Sequence, residues 1–210
     1  MSDPKHWSDV YGSKPADAMS WFQSDAQPSL DLILAHRGQA ARGVIDIGAG
    51  ASRLVDGLID AGLCDVTLLD LADTAFDEVR RRLGPDAGTP RYVVGDVTAW
   101  RPERRFGVWH DRAAFHFLTG TDQQDAYIAA LYAATGPGAV AVIATFAPDG
   151  PERCSGLPVR RWSSDDLAAR LARHDFSAEV ARQLAALSAQ NLSDGRAAED
   201  GVATDERGTR

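Results

Sequence analysis

The sequence predicts an α/β fold: a Rossmann-like, doubly wound, mostly parallel sheet between two layers of helices. Three observations carry this. Short β-branched runs alternate with segments whose apolar residues recur at helical spacing, the pattern of βαβ units with right-handed crossovers. A Gly-x-Gly turn, Gly48-Ala49-Gly50, joins the first run to an amphipathic helix. Aspartates stand at the ends of three successive strands, Asp46, Asp70 and Asp96.

The elements follow in order. Residues 1–28 read as an irregular lead-in rich in aromatics: Trp7, Tyr11, Trp21 and Phe22. Ser29 is placed to cap a helix carrying Leu30, Ile33 and Leu34 on one face. Gly43 to Ile47 is a short buried strand, and Ser52 to Ala61 a helix with Leu54, Val55, Leu58 and Ile59 inward. Gly62 ends that helix, and a second strand, Val66 to Leu69, stops at Asp70. Thr74 to Leu83 is helical, closed by Gly84-Pro85. Arg91 to Val94 makes a third strand ending in Gly95-Asp96, and Phe106 to His110 a fourth ending in Asp111. Asp122 caps a helix through Ala134, after which Gly136-Pro137-Gly138 leads into a fifth strand, Ala139 to Thr145. Beyond Pro148 come a Gly/Pro-rich loop, a helix near Ser163 to Ala172, and an amphipathic segment, Ala178 to Ala189. Residues 191–210 are Gly, Ala and charge, a composition expected to be disordered. The chain so divides into an N-terminal segment (1–28), a main domain (29–176) and an atypical tail (177–210).

Bulk properties exclude several classes. A formal charge of −8 argues against a broad electrostatic grip on nucleic acid or anionic lipid, and favours a small-molecule or peptide substrate. The two cysteines, Cys64 and Cys154, lack metal-ligand spacing, so no metal site is expected and the thiols fit a reducing compartment. Met1 to Asp9 is polar, without the apolar core of a signal peptide, and no run approaches membrane-spanning length. A cytoplasmic protein is expected. The sequence displays no nucleophilic triad and no nucleic-acid motif.

The strand-end acids suggest a ligand. A carboxylate at the tip of the second strand can accept both hydroxyls of a ribose, and one after the third strand can accept from an adenine amine. Asp46, beneath the glycine turn, is within reach of an ammonium group directly or through water. Adenine, ribose and an amino-acid tail together describe S-adenosylmethionine. The rival ligand is a dinucleotide, whose fingerprint needs a third glycine where this chain has Arg53.

On these residues the chain resembles class I S-adenosylmethionine-dependent methyltransferases, and within them a bacterial branch related to thiopurine methyltransferases and some protein-lysine methyltransferases. The resemblance rests on Ile45-Asp46-Ile47-Gly48-Ala49-Gly50-Ala51-Ser52-Arg53-Leu54, Leu69-Asp70, Gly95-Asp96-Val97-Thr98, and Trp109-His110-Asp111-Arg112 through Leu118. Ala144 to Pro151, Cys154 to Val159, Trp7 to Tyr11 and Ser20-Trp21-Phe22 also match, so it spans roughly residues 6–176. It implies that Asp70 holds the ribose, Asp96 and the Val97 backbone the adenine, and Gly48, Gly50 and Asp46 the methionine end. Ser52, Leu71 and Trp21 complete the candidate cofactor contacts, Trp21 and Phe22 lying where such proteins place a lid. The tip of the fourth strand faces the sulfonium in this architecture, making His110 and Asp111 the catalytic candidates. His116, between Phe115 and Phe117, reads as a packed histidine, and Arg80-Arg81-Arg82 as a solvated helix end. Arg160-Arg161 stands on the substrate side, available to an anion.

One departure stands out. The resemblance implies two more strands after the helix near Ser163, yet residues 177–210 contain no β-branched run or aromatic alternation. The C-terminal strands are expected to be missing or replaced, leaving the fifth strand an edge and favouring lower stability or dimerisation. The leading expectation is methyl transfer to a small-molecule acceptor by in-line displacement. The alternatives are a protein-lysine acceptor, a nicotinamide-dependent oxidoreductase and a non-catalytic remnant.

Overall fold

Five strands make one parallel sheet in a computed structural model that describes residues 3–13, 19 and 22–172. They are β1 (Val44–Ile47), β2 (Val66–Asp70), β3 (Arg91–Val94), β4 (Phe106–Arg112) and β5 (Thr135–Ala144). Their spatial order is β3-β2-β1-β4-β5. Every residue of β1 and β2 is buried, as a parallel sheet covered on both faces requires. The order reverses between β1 and β4, and a crevice opens at the carboxyl ends of such strands.

Alternation along the strands divides the core in two. Val44, Val66, Leu68 and Val108 pack with Ile33 of α2 (Gln27–Ala35), Ala40 of α3 (Arg37–Ala40), Leu54, Val55 and Leu58 of α4 (Leu54–Asp60), and Phe76 and Val79 of α5 (Ala75–Leu83). Ile45, Ile47, Leu69 and Trp109 point the other way. They meet Tyr127, Ile128 and Leu131 of α6 (Thr121–Ala134), and Leu167 and Leu171 of α7 (Ser164–Ala172). Burial of these aliphatic and aromatic groups is the main favourable term holding the three layers.

The expected strands and helices are present, with several differences. The lead-in is not irregular throughout: Pro4–Ser13 forms a helix, α1, whose Trp7 is buried against Phe117 at 5.1 Å between ring centroids. Ser29 does not cap α2. Pro28, well suited to a first helical turn, lets the helix begin at Gln27, and the Asp25 carboxylate accepts the Gln27 N–H at 3.0 Å. Asp111 lies inside β4, not beyond its end. β5 begins at Thr135, because its pairing with β4 slips between Phe106 and Val108 and absorbs Gly136-Pro137-Gly138. The loop after Pro148 contains a short antiparallel hairpin, β6 (Arg153–Cys154) and β7 (Leu157–Pro158). Its two turn residues, Ser155 and Gly156, both have positive φ, as the tight hairpin turn that suits strand twist demands. Among the described residues β5 pairs only with β4; the amphipathic segment 178–189 and the tail 191–210 lie outside them. No helix among the described residues is long and apolar enough to cross a membrane.

Gly107 shows how tightly the sheet and α3 meet. A Cβ there would lie 1.8 Å from the Gln39 carbonyl oxygen and 2.7 Å from its carbon, backbone atoms that cannot swing aside. Gly107→Ala is expected to lower the unfolding free energy by roughly 2–3 kcal/mol, measured by urea denaturation.

Candidate functional site

The glycine turn is built by backbone geometry that other residues resist. Gly48 and Gly50 have φ of 62° and 54°, in the left-handed region that favours glycine. Added Cβ atoms would lie 2.8 Å from the Ala114 Cβ and 2.4 Å from the Tyr11 hydroxyl. Asp70 ties this turn to the end of β2, one carboxylate oxygen accepting the Gly50 N–H at 2.9 Å and the other the Ala72 N–H at 3.1 Å. Burial pushes the Asp70 carboxyl up to about 6, against the pull of those backbone donors. Ser52 Oγ accepts the Leu54 N–H at 3.1 Å as α4 begins.

Arg82 corrects the reading of Arg80-Arg81-Arg82 as a solvated helix end. Its guanidinium forks onto Asp56 at 2.6 and 2.8 Å and donates to the Ser52 carbonyl at 2.7 Å, clamping the chain just after the glycine turn. Arg80 and Arg81 do pair with acids on their own helix and at its start, Arg80 with Asp73 and Asp77, and Arg81 with Glu78.

Two cavities flank the turn. The first is lined by Asp70, Leu71, Asp96, Val97, Phe117 and Cys154, among others. The second is lined by Asp46, Gly50, Ser52, His110, Phe22 and Gln23, among others. Gly48, Tyr11 and Arg112 belong to both, so Tyr11 and Arg112 stand where the two meet. Asp96 Oδ1 accepts the Thr98 N–H at 2.9 Å and the Thr98 hydroxyl at 2.8 Å, which fixes the turn after β3. The structure therefore gathers Asp46, Gly48, Gly50, Ser52, Asp70, Leu71, Asp96 and Val97 around one crevice. Trp21 lies outside the described residues, while its neighbour Phe22 lines the second cavity, with the Arg53 guanidinium 5.9 Å from its ring centre.

His110 and Asp111 are both buried at the end of β4, facing opposite sides of the sheet. His110 Nδ1 lies 2.6 Å from Asp46 Oδ1 and its Nε2 lies 2.9 Å from Ser29 Oγ. Asp46 Oδ2 is buried without a hydrogen-bond partner. Asp111 is fully buried and accepts the Ala114 N–H at 2.7 Å, the Phe115 N–H at 3.0 Å and the Tyr127 hydroxyl at 2.6 Å. These bonds hold the exit from β4, where Ala113 adopts a φ of 74° that is costly for a residue with a Cβ. Burial pushes Asp111 up to about 6. His116 is packed between Phe117 and Phe146, and burial pushes it down to about 3, so it is neutral near pH 7. Arg161 pairs with Glu152, and Arg160 stacks on Trp162 with 4.1 Å to the ring centre.

Sequence reasoning gave Tyr11 and Arg112 no place among the site residues, read Arg82 as solvated and Ser29 as a helix cap. Arg112 directly follows a strand-end acid, which is a usable signal for a site residue. Tyr11 and Ser29 reach the site only through tertiary packing, and nothing in their local sequence marks them.

Comparison with known proteins adds a similarity at the level of the domain and the fold. Residues 44–138 match the family model of a methyltransferase domain. A search among curated proteins finds no match. Among solved structures, one described under the conversion of a disulfide bond into a thioacetal group during echinomycin biosynthesis is 28% identical. It aligns over 81% of this chain and 78% of that chain with a TM-score of 0.59. The CcbJ methyltransferase from Streptomyces caelestis is 23% identical over 68% of this chain and 58% of its own, with a TM-score of 0.52. The glycopeptide N-methyltransferase MtfA complexed with sinefungin is 23% identical over 58% of this chain and 54% of its own, with a TM-score of 0.50. Its complex with S-adenosyl-L-methionine aligns with 74% of this chain and 85% of its own, at 18% identity and a TM-score of 0.59. The chain thus spans little more than half the length of CcbJ and of MtfA with sinefungin. At this distance the likeness to CcbJ and MtfA shows a shared fold.

The polar network predicts two stability effects. Asp111→Ala strands two backbone N–H groups and the Tyr127 hydroxyl, and is expected to cost roughly 3 kcal/mol by denaturant titration. Asp70 and Asp111 keep protons in the folded state that the unfolded chain releases, their values standing near 6 against an ordinary 3.8. Their contribution to stability is therefore full below about pH 4 and is lost as pH rises through about 6. Relative to the parent chain, Asp70→Asn should lose less stability between pH 4 and pH 7. The family match falls on the part of the sheet that holds both glycines and all three strand-end aspartates, so residues 44–138, on a Rossmann-like parallel sheet, are similar to a methyltransferase domain.

Proposed function

We propose that the protein is an S-adenosylmethionine-dependent methyltransferase acting on a small-molecule acceptor. The observation that carries this is the junction of β1 and β2, where the Asp70 carboxylate accepts the Gly50 N–H and braces a turn with no room for side chains. The residues present fit the cofactor. A glycine cradle approaches ligand closely, a buried Asp46 oxygen lacks a donor, and Asp70 and Asp96 retain acceptor capacity at the ends of β2 and β3.

In this reading Asp70 accepts the two ribose hydroxyls. Asp96 and the Val97 backbone meet adenine, with Leu71 against the nucleoside. Gly48, Gly50, Ser52 and Asp46 hold the amino-acid tail, and Trp21 with Phe22 closes over it. Bound there, the cofactor supplies a methyl group on a sulfonium, which an acceptor displaces in line. What the chain contributes is alignment of the acceptor and exclusion of water. Trp7 and Tyr11 of α1, with Phe117, form an aromatic wall on the first cavity suited to both tasks. We assign His110 and Asp111 to positioning rather than proton transfer, since both are buried and already hydrogen-bonded at the end of β4.

The aromatic lining favours a small acceptor over an extended lysine peptide. The N-methyltransferase neighbour, acting on glycopeptides by its name, is compatible with a natural-product-like acceptor. The domain division expected from sequence enters the proposal unchanged: an N-terminal covering segment (1–28), a methyltransferase domain (29–176) and a separate tail (177–210).

Calorimetry with S-adenosylmethionine and S-adenosylhomocysteine tests the cofactor. Micromolar binding is expected, with Asp70→Ala weakening it about 10-fold or more through loss of two charge-assisted hydrogen bonds. Absence of binding at millimolar ligand overturns the reading. Methyl transfer scanned across thiols, amines, carboxylic acids and lysine peptides then identifies the acceptor.

A further inference from the structure

We propose that Ser29 is a positioning residue for the cofactor's amino group, acting through His110 and Asp46. The inference rests on the S-adenosylmethionine reading of the site and adds a residue that no motif contains. Asp46 and His110 are register partners across the parallel pair of β1 and β4, at the point where strand order reverses. Their side chains leave the same face of the sheet and meet at 2.6 Å, both almost wholly buried. From the far side of the imidazole, Nε2 reaches Ser29 Oγ at 2.9 Å. Three side chains from α2, β4 and β1 thereby form one line that ends at the second cavity.

The hydrogen-bond arrangement follows from the order of the groups. Nδ1 faces a carboxylate and so carries a proton, donating it to Asp46 Oδ1. In the tautomer with Nδ1–H, Nε2 accepts the Ser29 hydroxyl proton. A neutral imidazole leaves the Asp46–His110 unit with a net negative charge. An imidazolium would cancel that charge within the pair. Asp46 Oδ2 remains as the unpartnered buried acceptor on a residue that lines the second cavity. Such an oxygen is costly unless something donates to it, and a cationic N–H donor from a ligand in that cavity meets the need. Ser29 thus holds in place the imidazole that Asp46 orients, and His110 sets which Asp46 oxygen is left for the ammonium.

The same sequence of groups, hydroxyl to imidazole to carboxylate, serves as a nucleophile relay in hydrolases. Here the direction is reversed. Asp46 and His110 line the second cavity, whereas Ser29 lines neither cavity and stands behind the imidazole on α2. The relay therefore points its carboxylate, not its hydroxyl, at the ligand. It also anchors α2 to the sheet just after Phe22, Gln23, Asp25 and Ala26, which wall that cavity.

The test compares a ligand that has the amino-acid tail with one that lacks it. Calorimetric affinities for S-adenosylhomocysteine and 5′-methylthioadenosine are measured for the parent chain, Ser29→Ala and Ser29→Thr. Ser29→Ala should weaken S-adenosylhomocysteine about 5- to 10-fold while leaving methylthioadenosine within about twofold, and Ser29→Thr, which keeps the hydroxyl, should restore the loss. Unchanged affinity for S-adenosylhomocysteine in Ser29→Ala, or an equal loss for both ligands, overturns the inference while leaving the cofactor assignment standing. If the parent chain binds neither ligand, the cofactor assignment itself falls.

Discussion

The hydrogen bond from the Gly50 amide to the Asp70 carboxylate is the constraint on which the rest of the site depends. It joins the turn after β1 to the tip of β2, so the two loops are tied directly to each other. Since Asp70 also accepts from Ala72, its carboxylate is oriented by two backbone groups that cannot rotate away. Arg82 reinforces the same region from outside by holding the Ser52 carbonyl and Asp56 together. The turn is thus gripped on both sides, and its two glycines keep left-handed backbone that lets the Ala114 and Tyr11 side chains close down on it.

Much of this was legible in the sequence, for physical reasons. The five strands announced themselves because a parallel sheet buries both faces, so Val44 to Ile47 and Val66 to Leu69 read as runs without polar alternation. The glycines and strand-end aspartates were legible because few residues serve in those positions. What stayed hidden depended on contacts distant in sequence. Pro4–Ser13 has weak helical patterning, and its place over the glycine turn is fixed by Trp7 meeting Phe117. Ser29 looked like a helix cap because local signals describe a helix start, whereas its imidazole partner lies 81 residues away. Asp111 looked like a strand-tip acid because one residue of strand length decides whether a carboxylate meets solvent or the core.

The carboxyl end of the sheet is also where the protein concentrates buried charge. Asp46, Asp70, Asp111 and His110 are each at most 6% exposed, with Arg112 nearby. Burying that many ionisable groups opposes folding, and the hydrogen bonds they make recover only part of the cost. The apolar layers must supply the difference, and they do so largely through rings and branched side chains such as Trp109, Tyr127, Phe76 and Phe115. The site is an electrostatically expensive surface mounted on a well-filled core.

Tyr11 has a consequence for the shape of the site. Its hydroxyl rests against Gly50, and its side chain lies on the boundary that the two cavities share. A ligand long enough to occupy both cavities at once would lie against that ring. Trp7, seated on Phe117, sets the height at which α1 holds that ring, so the span open to a ligand across the two cavities is fixed by one aromatic contact distant from the glycines.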